Sequence, residues 1–174
     1  MSPTSIGRVA GALFWAAFPL FGGGAALGAR APGPALVLGN SVAVAAIGVM
    51  FHALFRARHP TAATAYLVGR TFEATVLAAV VTGASTVDQA LPVAMVGLGV
   101  GSVPLYVALA RGGEIPRWLG AFGALGYGAL VVGEILQLSG VPVGLALSAP
   151  GGLFEVIFGG WLLAGQIGDG GGAR

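Results

Sequence analysis

The chain has no cysteine, no lysine and few charges of either sign. Without cysteine there is no disulfide, no thiolate nucleophile, no iron–sulfur cluster and no Cys-ligated zinc. Charged residues make up 8% of the sequence, about a third of the roughly 25% that a water-soluble domain carries. So few charges cannot cover a surface that faces water. All eight basic residues are Arg, which, with the abundance of Ala and Gly, points to a GC-rich bacterial genome. The 32 glycines follow no Gly-X-Y period, which excludes collagen. Nowhere do the basic residues cluster with exposed aromatics as a nucleic-acid face would need, so no nucleic-acid partner is expected.

What remains is apolar: 56% of the residues are hydrophobic and mean hydropathy is +0.92. A membrane helix needs about 20 mainly apolar residues. Six stretches meet that length, near 9–29, 35–55, 61–84, 90–110, 117–138 and 149–167. Turn-forming or charged segments separate them, among them Ala31-Pro32-Gly33-Pro34, Arg56 to Pro60 and Arg111 to Pro116. Proline disfavours helix in the residue before it. The expectation is an all-α, polytopic bundle of six transmembrane helices over residues 1–167, followed by a disordered Gly-rich tail, 168–174.

The arginines set an orientation. With the N-terminus inside, the cytoplasmic side collects Arg8, Arg56, Arg58, Arg111, Arg117 and Arg174, and the outer side keeps Arg30. That bias predicts an inner-membrane protein with both ends in the cytoplasm. Trp118 and Trp161 fall near span ends, where amphipathic rings favour the interface. A competing reading makes the first span a signal peptide cleaved near Ala29-Arg30-Ala31. Its apolar stretch, about 20 residues, exceeds the usual 7–15. Gly7-x-x-x-Gly11, Gly97-x-x-x-Gly101 and the run Gly120, Gly123, Gly126 match the pattern for close helix approach. Internal packing is the primary reading of these glycines and a homodimer the alternative. Gly97 to Gly101 is not a dinucleotide fingerprint, because no strand precedes it.

Four ionisable residues fall inside the spans: Arg70, Glu73, Glu134 and Glu155. Each costs roughly 2.5–3.5 kcal/mol at a helix centre, and such residues default to functional hypotheses. At about 1.5 Å per residue, Arg70 lies roughly 14 Å from the cytoplasmic end, Glu73 roughly 18 Å, Glu155 roughly 20 Å and Glu134 roughly 25 Å. Asn40 falls at a similar depth. Tyr66, Arg70 and Glu73 follow i, i+4, i+7 and stripe one side of the third helix. Tyr127 and Glu134 share a side of the fifth. Arginine keeps its charge, so Arg70 needs a carboxylate, and Glu73 supplies one. A carboxyl buried without a cationic partner tends to keep its proton and then serves as acid or hydrogen-bond donor. The candidate site is therefore Glu155 and Glu73 as reactive carboxyls, with Arg70, Glu134, Asn40, Tyr66 and Tyr127 as ligand contacts. No metal and no cofactor is expected: His59 sits in a loop, His52 sits near a span end, and no triad or P-loop spacing exists.

Three segments carry a family resemblance: Arg70-Thr71-Phe72-Glu73-Ala74; Ile115 to Gly120 running on to Gly126-Tyr127; and Pro150 to Glu155 through Phe158-Gly159 to Trp161. In that order the chain resembles the bacterial membrane proteins grouped as domain of unknown function 4386. The resemblance implies a multi-helix membrane protein with polar positions in its third and last helices, here Arg70, Glu73 and Glu155. It does not extend to Glu134, and the connection between the first two helices is shorter than the family pattern. It carries no activity.

Three functions compete on these residues. One is a site in the bundle for a small apolar or amphipathic molecule, extending to an enzyme acting on a lipid or isoprenoid-like substrate with Glu155 as acid. Another is a small proton-coupled carrier, against which stands the lack of an inverted repeat. The third is a structural or accessory membrane subunit whose charges serve assembly.

Overall fold

The computed structural model describes residues 2–141 and 146–167. The tail read at 168–174 and residues 142–145 lie outside the described residues. Six α-helices follow in chain order: α1 Pro3–Leu27, α2 Gly33–Phe55, α3 Pro60–Val81, α4 Val87–Gly112, α5 Arg117–Leu138 and α6 Ala149–Leu163. The proline-bearing breaks read from the sequence become helix starts. Proline stands in the first turn of α1, α2, α3 and α6, where its missing N–H costs nothing. The start of α4 carries a capping box in which the Gln89 side chain accepts from the Thr86 N–H at 3.2 Å. Gly113 ends α4 with φ 79°, a left-handed conformation suited to a residue without Cβ.

Five of the helices, α1 to α5, are long and apolar enough to cross a membrane. The sixth is shorter than expected. Its 15 residues give about 22 Å, against a hydrocarbon core of about 30 Å. The apolar stretch read to residue 167 stops at Leu163 because Gly165 turns the chain at φ 75°, its N–H on the Leu162 carbonyl at 2.9 Å.

Each helix packs on its neighbours in sequence, and α6 returns to α1, so the six close into a ring. Glycine lets the helices come close at every seam. Between α1 and α6, a Cβ on Gly11 would stand 2.6 Å from the Gly159 carbonyl oxygen and 3.0 Å from Leu162 Cβ. Between α3 and α4, Gly69 lies against the backbone of Gly97 and Gly101. Gly24, Gly48, Gly120 and Gly126 hold the remaining four seams. The close-packing glycines thus face inside this chain.

The burial pattern suits lipid rather than water. Leu125 is 74% exposed and Val42 64%, whereas Arg70 is 1% exposed. Apolar side chains turned out around a buried cation are what a bilayer solvent favours. Fold and composition define a membrane-embedded helical protein.

The glycine seams make a test with two signs. Gly11→Val should lower the thermal midpoint in detergent, at a cost of about 1–3 kcal/mol from overpacking. A Cβ added at Gly128 would meet no described atom within 4 Å, so that position should accept Ala without loss or with a gain of up to about 1 kcal/mol. A Gly11→Val protein as stable as its parent would contradict the α1–α6 closure.

Candidate functional site

A closed ring of six helices leaves space along its axis, and the two halves of this ring treat that space differently. Toward the end with the α2–α3 and α4–α5 connections it is filled by aromatic rings. Phe14, Phe51, Tyr66, Tyr106, Phe154 and Phe158 are all fully buried. Their rings meet mostly edge to face, with Tyr106 and Phe154 centroids 4.6 Å apart and Phe14 and Phe51 6.0 Å apart, a favoured geometry for aromatic pairs. In the other half the axis holds a cavity of about 470 Å³ to which all six helices contribute. Phe18, Val44, Leu77, Met95 and Leu130 supply apolar wall.

Arg70 sits where the aromatic half meets the cavity. It stands ten residues past Pro60, at the middle of α3, and its guanidinium is spent on four hydrogen bonds. Nε donates to the Tyr66 hydroxyl at 2.9 Å and Nη1 to Glu73 Oε2 at 2.9 Å. Nη2 donates to Glu155 Oε1 at 2.5 Å and to the Tyr127 hydroxyl at 3.4 Å. Tyr127 in turn donates to the same Glu155 oxygen at 2.6 Å. The Phe14 ring lies 5.2 Å from Arg70 Cζ and the Tyr66 ring 5.3 Å, within range for cation–π attraction. The i−4 and i+3 spacing brings Tyr66 and Glu73 to Arg70 from its own helix. Tyr127 and Glu155 arrive from α5 and α6.

All seven residues selected from the sequence are therefore near this axis, in two groups. Arg70, Glu73, Glu155, Tyr66 and Tyr127 form one hydrogen-bonded cluster. Glu134 and Asn40 also line the cavity but are not among the hydrogen-bond partners of Arg70. The Glu134 carboxylate accepts from the Ser148 hydroxyl at 2.9 Å and meets no Arg or His among the described residues. Asn40, 3% exposed, makes no side-chain hydrogen bond to them.

One expectation changes. The sequence reading left Glu155 without a basic partner, and the structure pairs it with Arg70. A guanidinium presents five N–H donors in a plane, and its fork is wide enough to hold carboxyls from α3 and α6 together. The carboxyl without a cation is Glu134. Glu73 Oε1 and Glu155 Oε2 accept no hydrogen bond from the described residues.

Sequence reasoning missed several participants. Ser148 and Gln137 line the cavity, and Phe14 covers the guanidinium. Gln137 was within reach of the sequence, because Tyr127, Leu130, Glu134 and Gln137 recur at helical spacing along one side of α5. Phe14 gave no signal apart from other apolar residues. At the opposite end, His59 Nε2 lies 3.1 Å from Glu114 Oε1 and Arg58 3.5 Å from the same oxygen, joining the two connections there. Among the described residues no three His, Cys, Asp or Glu side chains gather as metal ligands.

Fold and site together describe a helical membrane protein with a charged cluster inside its bundle. The chain belongs to the family described as domain of unknown function (DUF4386), whose model matches residues 79–165. That segment contains Tyr127, Glu134 and Glu155; Arg70 and Glu73 precede it. Comparison with curated proteins and with solved structures finds no match.

Removing the cation tests the cluster. Arg70→Met should cost about 3–5 kcal/mol by leaving the buried Glu73 and the part-buried Glu155 uncompensated. Tyr127→Phe should cost about 1.5–3 kcal/mol, the range for hydrogen bonds to charged groups. Thermal unfolding in detergent reads both, and an Arg70→Met protein of unchanged stability would remove the guanidinium from its central place.

Proposed function

We propose that this protein binds a small molecule with an apolar body and a polar head inside the membrane, in the cavity between its six helices. The observation that carries the reading is the cavity itself. Its volume, about 470 Å³, falls within the roughly 300–1,000 Å³ of small-molecule sites, which are mostly apolar with a few convergent polar groups. The walls are aliphatic and aromatic, and the polar atoms gather at two places along it. Glu73 Oε1 and Glu155 Oε2 are the free acceptors at its floor.

In this reading the ligand lies between two polar groups of the lining, Glu73 and Glu155 with Arg70 at the floor and Glu134 further along α5, while Tyr66 and Tyr127 fix Arg70. An extension to catalysis on a lipid or isoprenoid-like substrate rests on the Glu73 and Glu155 carboxyls. An accessory subunit whose charges serve assembly has no use for an apolar cavity beside them.

The reading places α6 as a sixth, short span. It puts both termini on the cytoplasmic side of a bacterial inner membrane and the cavity in the outer half of the bundle. Arg56, Arg58, Arg111 and Arg117 at one end of the ring, against Arg30 at the other, support that orientation.

The test is co-purification. Protein isolated in a mild detergent from its membrane should carry a small molecule detectable by native mass spectrometry. Gly152 lines the cavity with its nearest neighbour, Phe18, 3.8 Å from a Cβ, so Gly152→Phe should fold, fill the cavity and lose that molecule. Wild-type protein that carries nothing, and whose thermal midpoint ignores an extract of its own membrane, would overturn the proposal.

A further inference from the structure

The cavity has two polar poles of different character. At the floor, Arg70 shares its charge between Glu73 and Glu155. Glu134 lies seven residues further along α5 than Tyr127, about 10 Å along the axis, and there no cation faces it among the described residues. Counted over the whole described lining, one guanidinium stands against three carboxyls.

An anionic ligand meets three carboxyls and a single guanidinium whose donors are mostly taken. Arg70 is the sole basic residue of the described lining, and four hydrogen bonds already occupy its donors, out of the five N–H a guanidinium has. The Glu134 pole instead offers acceptors. One Glu134 oxygen is held by the Ser148 hydroxyl, whose own lone pairs remain, and the other accepts nothing from the described residues. Asn40 is the second, independent sign of a ligand. It is 97% buried by its 3% exposure, lines the cavity from α2, and has no hydrogen-bond partner among the described residues. An amide that lines a cavity with no side-chain partner is open to a ligand's polar group.

We propose that the ligand is an amphipathic amine, a primary ammonium on an apolar body, with the ammonium received at Glu134, Ser148 and Asn40. An ammonium carries donors and no acceptor, which matches this pole. It supplies the charge that Glu134 lacks. The floor is the poorer seat, because its two carboxyls already share the Arg70 cation. The apolar body then lies along Leu130, Val44 and Leu77 toward the Arg70 cluster. This inference rests on the cavity being a binding site and adds the charge of its ligand.

The experiment compares hexylamine, hexanol and hexanoate by isothermal titration at neutral pH, with the full-length protein in an uncharged detergent and Gly152→Phe as the baseline. Hexylamine should bind about tenfold or more tightly than hexanol, the low end of measured coupling for close charge pairs, and hexanoate should not bind. Glu134→Gln should bring the amine level with the alcohol, and Glu134→Asp, which keeps the charge, should retain most of the preference. Asn40→Ala should weaken the amine more than the alcohol. Equal binding of hexanol and hexylamine, or an amine preference that survives Glu134→Gln, overturns the amine assignment while leaving the cavity a binding site. Should none of the three bind in a manner Gly152→Phe abolishes, the binding site and the amine fall together.

Discussion

A guanidinium cannot give up its charge at any accessible pH, and this chain places one at the middle of a membrane helix, 1% exposed. That constraint organises the bundle. Arg70 has Tyr66 and Glu73 on its own helix, and these two leave its Nη2 unsatisfied. Tyr127 on α5 and Glu155 on α6 complete it, so α3 reaches two helices that are not its neighbours in the ring. The Phe14 ring from α1 shields the cation on one face. A short α6 benefits most. It has too few residues to fill a bilayer by itself, and it is held at one place by the glycine seam with α1 and at another by Arg70.

The same residue separates a filled half from a hollow one. Interlocked aromatic rings close the axis on one side of Arg70, and on the other side the lining turns to smaller residues, Ala17, Gly22, Gly151 and Gly152 among them. Larger side chains at these positions would fill the space and add buried contacts. Leaving a void forgoes that stabilisation, roughly 20 cal/mol for each Å² of cavity surface in measured core truncations. A bundle that can close its axis with phenylalanine in one half and does not in the other keeps the space at a cost, as proteins do where function requires it.

Much of this was legible in the residues. Proline and arginine marked the breaks between helices, because proline ends a helix before it and charge leaves the apolar layer. The shared depth of Arg70, Glu73, Glu155, Glu134 and Asn40 followed from the rise per residue, and the i, i+4, i+7 stripe put Tyr66 and Glu73 beside Arg70. What sequence could not supply was the order of helices around the ring. Glu155 meets Arg70 because α6 closes on α1, and no periodicity within one helix encodes that. Nor did hydropathy separate Phe158, which plugs the axis, from Leu125, which faces lipid. The glycine patterns announced close approach without naming the partner. The end of α6 was misjudged because Trp161 to Ile167 reads as apolar, and a left-handed Gly165 stops the helix inside that stretch.

The division between Arg70 and Glu134 bears on how a bundle of this size, if it binds a ligand as proposed, stays folded. With its ionised groups all in one cluster, any ligand that displaced one would also disturb the contacts that hold α3, α5 and α6 together. Here the two are apart. The charge of Arg70 is met within the protein by Glu73 and Glu155. Glu134, about 10 Å along α5 by helical rise, leans on a single serine hydroxyl and has an unpartnered amide lining the same space. A group that is buried but poorly satisfied is where a ligand gains most by binding, since its own polar atoms complete hydrogen bonds the protein leaves open. The Arg70 cluster therefore sets the geometry of the cavity, and under the proposed function the Glu134 pole supplies its selectivity. On that proposal a ligand arrives and leaves at Glu134 without taking the bundle apart.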